Sequence, residues 1–376
     1  MNVNKNRLPR LLFVGAFPPK GSKIIGGNVS DCRALLNSSF SQRLELDLID
    51  TTQLSNPAPP LQVRAFYAML RIAKFVLRIW LRRPDATLLF VAIGASVLEK
   101  GVMAWCSRVF GIPAFMFPRG GPLIDICAQS RFARIWTKVA FAGASKVLCQ
   151  GASWQQFSVD VLGFSVENSV VIPNWTATPT LINIGSQRNW QRRSKRVKFL
   201  FLGWVDHEKG VCELIHACNV LAKRYDFQLD IAGDGNALGK VRELISNYNL
   251  QNYVNLHGWA DEDRVLQLLN DADVLVLPSY AEGLPNAMVE AMAAGLAVIV
   301  TAVGNIPNFI RNYENGILIT PRDSDGLAEA MIRLSGDPGL ITKLGKAGYA
   351  TASEVFSINP AVDRLVELVS SSIPSV

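Results

Sequence analysis

Twelve short runs rich in Val, Ile, Leu and Phe punctuate this chain, six in each half. The first half offers RLLFVG, LELDLID, TLLFVA, PAFMF, KVLCQ and SVVIP. The second offers VKFLFLG, FQLDIAG, YVNLHG, DVLVLP, LAVIVT and GILIT. Most lack apolar–polar alternation, which marks strands buried on both faces of a parallel sheet. Longer helical patterns separate them, and parallel strands require such crossovers. The spacing therefore predicts an α/β chain of two doubly wound, Rossmann-like domains. A length of 376 residues suits two domains. Residues 1–175 read as the first domain and 176–196, which lack a period and end in a basic cluster, as a linker. Residues 197–352 read as the second domain, and 353–376 as a terminal helix that packs back on the first.

Composition narrows the class. Hydrophobic residues make up 49% and charged residues 18%, which excludes a disordered chain. A net charge of +7 suits nucleic acid, an anionic membrane or a phosphorylated ligand; no nucleic-acid motif is present. The six cysteines form no CxxC pair and no Cys/His cluster, so reduced thiols are expected rather than disulfides or zinc. The start MNVNKNRLPR is polar and unlike a secretory signal. The longest apolar run, ATLLFVAIGASVL, has thirteen residues, and a span needs about twenty. The expected location is the cytoplasm, including the inner face of the cytoplasmic membrane.

Ligands of open parallel sheets bind beyond the carboxyl ends of the strands, so the strand-exit loops are the candidate site. GAFPPKGSKIIGGNVSD (15–31) brings Gly26 and Gly27 to a helix start, where amides can approach phosphate. FLGWVDHEKG (201–210) ends a strand at Gly203 and places Lys209 within reach of an anion. IAGDGNAL (231–238) is a turn in which Asp234 or Asn236 caps the next helix. PSYAEGLPNAMVEAMAAG (278–295) hangs Glu282 in a loop and sets Glu290 on the following helix. The amides around Gly283, Leu284 and Asn286 form that helix's positive end. Carboxylate, amide cluster and carboxylate in a row suit a ligand with hydroxyls at both ends and phosphate between, the shape of a nucleotide-sugar.

These residues carry a family resemblance. PSYAEGLPNAMVEAMAAGLAVIVTAVGNIPNFI resembles the signature of retaining glycosyltransferase family four, as do FLGWVDHEKG, VIPN (171–174), AGDG and NGILI (315–319), in order. The resemblance covers most of residues 165–350 and implies the GT-B fold, two Rossmann-like domains facing a central cleft. It implies that Glu290 holds the donor ribose and Glu282 the donor sugar. It further implies that Lys209 and the amides of Gly27 and Leu284 meet the diphosphate, and that the base lies along His257, Gly258 and Trp259. The family often has arginine where this chain has Trp204, and a histidine at the end of the fourth strand. Here that strand end reads FPRGGPLID, so Arg119 is the candidate near the acceptor or donor sugar.

The implied activity is transfer of a sugar from a nucleotide-sugar to a glycan or lipid-linked acceptor, with retained anomeric configuration, in bacterial cell-surface polysaccharide biosynthesis. Neither metal nor other cofactor is expected. DAD (271–273) runs from a helix end into a strand and reads as a turn, not a metal site. Three rivals remain at this point: a glycoside hydrolase using Glu282 and Glu290, a non-enzymatic sugar-nucleotide-binding scaffold, and a GT-B epimerase. A hydrolytic pair must share one bond at about 5–9.5 Å, which a helix position suits poorly.

Residues 63–83 form a separate pattern. At 100° per residue, Arg64, Arg71, Lys74, Arg78 and Arg82 fall within about 80° of one another, and apolar residues with Trp80 fill most of the remainder. The stripe suits either a core-packed helix with a solvated basic face or a helix lying on anionic lipid. The wide apolar arc favours the membrane.

Overall fold

A computed structural model of the chain describes residues 7–18, 27–52, 59–120, 123–190 and 196–373. Gly26, Gly121 and residues 191–195 of the basic cluster lie outside the described residues. Two compact units are formed, one from residues 1–175 with 358–376 and one from 176–357.

The first unit holds strands β1 (Arg10–Gly15), β2 (Glu45–Asp50), β3 (Ala86–Val91), β4 (Ala114–Pro118), β5 (Lys146–Cys149) and β6 (Ser169–Val171). All pair in parallel, in the order β2-β1-β3-β4-β5-β6. β3 and β4 are buried along their whole length, as their unalternating composition requires. Helices α1 (Gly27–Leu36) and α2 (Phe40–Arg43) belong to one face. α3 (Leu61–Arg82), α4 (Ala95–Val109), α5 (Leu123–Gln129), α6 (Arg131–Phe141) and α7 (Ala152–Phe157) cover the other.

The second unit holds α8 (Pro179–Ser186), then β7 (Val197–Leu202), α9 (Val211–Leu221), β8 (Phe227–Ala232), α10 (Leu238–Asn247) and β9 (Val254–Gly258). It continues through α11 (Glu262–Asp271), β10 (Val274–Leu277), α12 (Asn286–Ala293), β11 (Ala297–Thr301) and β12 (Ile317–Ile319) to α13 (Ser324–Gly336) and α14 (Pro338–Val355). Its parallel sheet runs β12-β11-β10-β7-β8-β9. The order reverses between β7 and β10.

Three readings of the sequence need correction. Residues 176–190 are no linker. Thr178 Oγ1 accepts from Leu181 N and Pro179 opens α8, a pairing of cap and first-turn proline. α8 packs so closely that a Cβ on Gly185 would lie 2.2 Å from Ala293 O. Beyond it, Arg188 donates to the carbonyls of Leu269, Ala272 and Ala294 near the ends of α11 and α12. Eight residues are too few for a visible apolar period. The terminal boundary also shifts: residues 353–355 finish α14, and α15 (Ile358–Ser370) lies in the first unit, with Val362, Leu365 and Val369 in its core.

The third correction concerns α3. Its basic stripe is partly turned inward. Arg71 pairs with Glu99 at 2.6 Å, and Glu99 also accepts from Lys100 at 3.0 Å. Arg78 pairs with Asp47 and donates to Leu48 O, while Arg82 lies 3.4 Å from Asp47. Phe75 and Ile79 are the buried residues of α3, whereas Arg64, Lys74 and Trp80 are exposed. The helix therefore presents its apolar arc, not its whole basic stripe, to the outside. Burial would raise the Glu99 carboxyl, but Arg71 and Lys100 outweigh it and hold it below the ordinary range.

Candidate functional site

The loops that follow β7 (203–210) and β10 (278–285) leave adjacent strands where the strand order reverses. That switch point is where open α/β sheets bind ligands. Lys209 Nζ donates to Glu282 Oε1 across it, at 2.6 Å. The two side chains are 27% and 13% exposed, so both are screened from bulk water yet reachable.

Backbone contacts hold this pair in place from both flanks. Tyr280 N donates to Glu208 O at 2.8 Å. Gly210 has φ +67°, and a Cβ there would meet Pro278 O at 2.1 Å, so the residue after Lys209 must be glycine. On the other side Asn305 N donates to Gly283 O at 2.8 Å. Gly304, at φ +56°, approaches so closely that a Cβ would stand 2.0 Å from Glu282 O. A carboxylate in an otherwise open Gly/Pro loop thus gains a fixed position.

Tyr280, Glu213 and Arg322 extend the arrangement and were not singled out from the sequence. Tyr280 Oη donates to Glu213 Oε1 at 2.6 Å, and the Arg322 guanidinium lies 4.6 Å from the Tyr280 ring centroid. Burial, and then the Glu213 carboxylate, push the phenol up to about 12, so it stays a donor. Its place two residues before Glu282 was the available signal.

α12 begins at Asn286, preceded by Pro285, which provides no capping side chain. The helix start sits one residue beyond the Gly283–Pro285 turn, with Leu284 buried beneath it. Glu290 is half-buried and lies four residues into α12, about 6 Å along the axis. It is thus about one turn from the helix start.

β7, β8 and β9 end side by side at Gly203, Gly233 and Gly258, with Gly203 N bonded to Ala232 O and Gly233 N to Gly258 O. Trp204 and Trp259 follow and lie in tilted contact, ring centroids 5.4 Å apart. The indole that stands in place of the expected arginine therefore forms an aromatic wall with Trp259. His257 points elsewhere. Its Nε2 lies 2.7 Å from Asp230 Oδ1, and its Nδ1 lies 3.3 Å from Arg264 Nη2. Guanidinium only donates, so Nδ1 accepts and Nε2 carries the proton to buried Asp230. The imidazole is structural, so His257 offers a ligand its backbone alone. Neither Asp234 nor Asn236 caps α10: Asp234 Oδ1 accepts from Gly235 N, and Asp206 Oδ1 from Asn236 N. Asp273 of DAD accepts from Lys198 N. Among the described residues no cluster of His, Cys, Asp and Glu could hold a metal.

The first unit carries the other two site residues, Gly27 and Arg119. Gly27 opens α1. Arg119, at the end of β4, is buried, its side chain only 2% exposed. It pairs with Asp31 of α1 through Nε and Nη2. Phe117 and Trp175 each hold the guanidinium 4.9 Å from their ring centroids, with Phe90 at 5.6 Å. Asp31 is as buried as Arg119. The expected catalytic placement of Arg119 is therefore corrected: a buried ion pair within an aromatic cage fastens α1 to β4.

In the second unit, residues 186–351 match the model of the glycosyl transferases group 1. The match to this family covers less than half of the chain and lies wholly within the second unit. The amylovoran biosynthesis glycosyltransferase AmsK of Erwinia amylovora is 28% identical over 179 residues, 46% of this chain and 44% of that one. The chain spans 36 to 44% of the length of three such curated relatives. Over nearly the whole chain the similarity lies in the fold. Sucrose-phosphate synthase of Thermosynechococcus elongatus superposes with a TM-score of 0.75 at 17% identity, over 96% of this chain and 98% of that one. HepE of Anabaena, in complex with UDP, gives 0.71 at 18%, over 97% and 100%. The chain has the GT-B fold. Within the matched segment, Lys209, Glu282, Asn286 and Glu290 come from the strand-end loops and the helix at the switch point, and Trp204 and Trp259 stand at its β7–β9 side.

Proposed function

We propose that the chain is a retaining, metal-independent glycosyltransferase, which moves a sugar from a nucleotide-sugar to a glycan or lipid-linked acceptor in cell-surface polysaccharide biosynthesis. The observation that carries this reading is the Lys209–Glu282 pair at the switch point, 2.6 Å apart, beside the start of α12. The ammonium and the helix's positive end suit a diphosphate. Glu282 then turns its acceptor oxygens to hydroxyls of the donor sugar, while Glu290 takes those of the ribose. The base rests along the backbone of 257–259, against the Trp204–Trp259 wall. AmsK, by its name, acts in amylovoran biosynthesis, and HepE is described in complex with UDP; both accord with this assignment.

Breaking the sugar–phosphate bond leaves growing negative charge on the diphosphate and positive character on the sugar. Fixed dipoles and a cation aimed at that charge lower the barrier by several kcal/mol. Lys209 and the α12 start fill that role, held by the backbone contacts at Gly210 and Gly304 so that little reorganisation accompanies reaction. A diphosphate leaves without strong protonation, and its departing oxygen can take the acceptor's proton. No side-chain nucleophile is needed. The lipid-linked class of acceptor places the work at an anionic bilayer leaflet.

A thermal-shift panel of UDP-, GDP-, ADP- and dTDP-sugars tests the donor. A matching sugar at a hundred times its Kd stabilises by about 2.7 kcal/mol, a rise on the order of 5–10 °C for a domain of this size. Glu282→Gln removes a charge-assisted hydrogen bond worth about 1.5–3 kcal/mol, so kcat/KM falls roughly 10- to 150-fold. No shift with any of the four sugars, or unchanged transfer by the variant, overturns the reading.

A further inference from the structure

α3, α4 and α6 form one layer on the first sheet, α4 packed against both of the others. Each turns an apolar stripe away from the sheet. On α4 it is Leu98, Val102, Trp105 and Val109; on α6 it is Phe132, Ile135, Trp136 and Val139, all exposed. α3 adds a longer one that includes Phe66, Met69, Trp80 and Leu81. The i, i+3, i+4, i+7 spacing makes each a continuous face. The stripes of α4 and α6 adjoin. A Cβ on Gly101 would lie 2.6 Å from Ala140 Cβ, and Trp105 Nε1 donates to Val139 O at 2.9 Å.

The concentration is unusual. Of the 24 exposed large apolar side chains among the described residues, nine lie on α3, four on α4 and four on α6. Val109 is 81% exposed and Phe132 71%. Scattered apolar residues need no explanation, but a contiguous patch beyond about 300–600 Å² marks an interaction surface.

Charge identifies the occupant. The exposed charged side chains of this layer are Arg64, Lys74 and Arg82 on α3, Arg108 on α4, and Arg131, Arg134 and Lys138 on α6. Glu99, the single carboxylate within the three helices, is buried between Arg71 and Lys100. The outer face is thus apolar and cationic, with no exposed acid. That combination fits anionic headgroups above acyl chains. Apolar helix faces sink about 5–10 Å into the interface, each nearby Lys or Arg adds attraction to anionic headgroups, and Trp80, Trp105 and Trp136 are of the type that favours that depth.

We propose that the outer face of α3, α4 and α6 is an interfacial docking surface for a bilayer leaflet rich in anionic phospholipid. The inference names the surface by which the proposed transferase meets its leaflet, and so rests on that reading for its purpose; the test reads binding alone, so docking and sugar transfer can fail separately.

Full-length protein is sedimented with vesicles of phosphatidylcholine, with and without phosphatidylglycerol. Binding is expected to the anionic vesicles, falling with salt, and to be weak on phosphatidylcholine alone. Phe132→Glu with Trp136→Glu should lower the bound fraction at least tenfold at an unchanged melting temperature, and Arg131→Ser with Lys138→Ser should lessen the preference for anionic lipid. In the wild type, brominated acyl chains should quench tryptophan fluorescence, a readout that needs no variant. Absence of sedimentation with anionic vesicles, absence of quenching, or binding untouched by the α6 substitutions overturns the proposal. So does a stable dimer in sedimentation velocity that the same substitutions disperse, because a second copy would then cover the face.

Discussion

Two parallel six-stranded units make up this chain, and they distribute their side chains in opposite ways. In the second, large apolar residues are inside: Tyr225 is its only one among the 24 exposed. The first holds the other 23, and it buries charges instead. Glu99 with Lys100 and Arg71, Asp31 with Arg119, and Asp47 with Arg78 all lie within or at the edge of its core. A parallel sheet covered by helices can be built either way. The difference lies in what is asked of the helices' outer surfaces, and an outer layer left apolar implies an apolar neighbour. The second unit spends its polar groups at the strand ends, where Lys209 and Glu282 meet.

The contrast can be broken most directly at Glu99. Glu99→Gln leaves Lys100 and Arg71 without their counter-charge, and such a loss within a buried pair costs about 3–5 kcal/mol. The first unit should melt earlier in calorimetry while the second is unmoved; a uniform shift would mean that the two do not differ as described. A smaller effect is expected at Gly304. Gly304→Ala places a Cβ against Glu282 O at positive φ, costing roughly 1–3 kcal/mol. It should raise the KM for the donor in steady-state assays without touching the first unit.

Acid titration sharpens the same contrast. The Glu99 carboxyl is depressed in the fold, so its contribution is present above the ordinary glutamate range, about 4.3, and is lost as pH falls through the depressed value. Chemical denaturation between neutral and acid pH should show a steeper loss in the wild type than in Glu99→Gln. The smallest change is expected at Ile135→Ser. On an outer face it should move stability by no more than about 0.5 kcal/mol, whereas the same replacement at buried Ile299 would open a cavity in the second unit's sheet.

The fold was largely legible. All twelve apolar runs contain strands; those buried on both faces announce themselves by composition, while the edge strands β2 and β9 are only partly buried. Lys209 and Glu282 were legible because each sits in a loop whose glycines announce a strand exit. What could not be read was orientation. The projection of α3 shows that its arginines share a face, but not that Glu99 and Asp47, far along the chain, draw that face inward. Arg119 misleads for the same reason: Phe117 is local to FPRGG, but Asp31, Phe90 and Trp175 reach it from three other segments that nothing in the motif records. α8 was missed because its apolar period is shorter than the window needed to see it, although Thr178–Pro179 did signal a helix start.

One feature of the chain path bears on how the protein is made. α15 fills part of the first unit's core, yet the ribosome delivers it only after all of 176–357 has been synthesised. Ala177 and Ser357, where the path departs and comes back, are bridged to each other, so the inserted segment closes on itself like a side excursion. Until α15 emerges, the earlier half lacks the side chains of Val362 and Leu365 that complete its core.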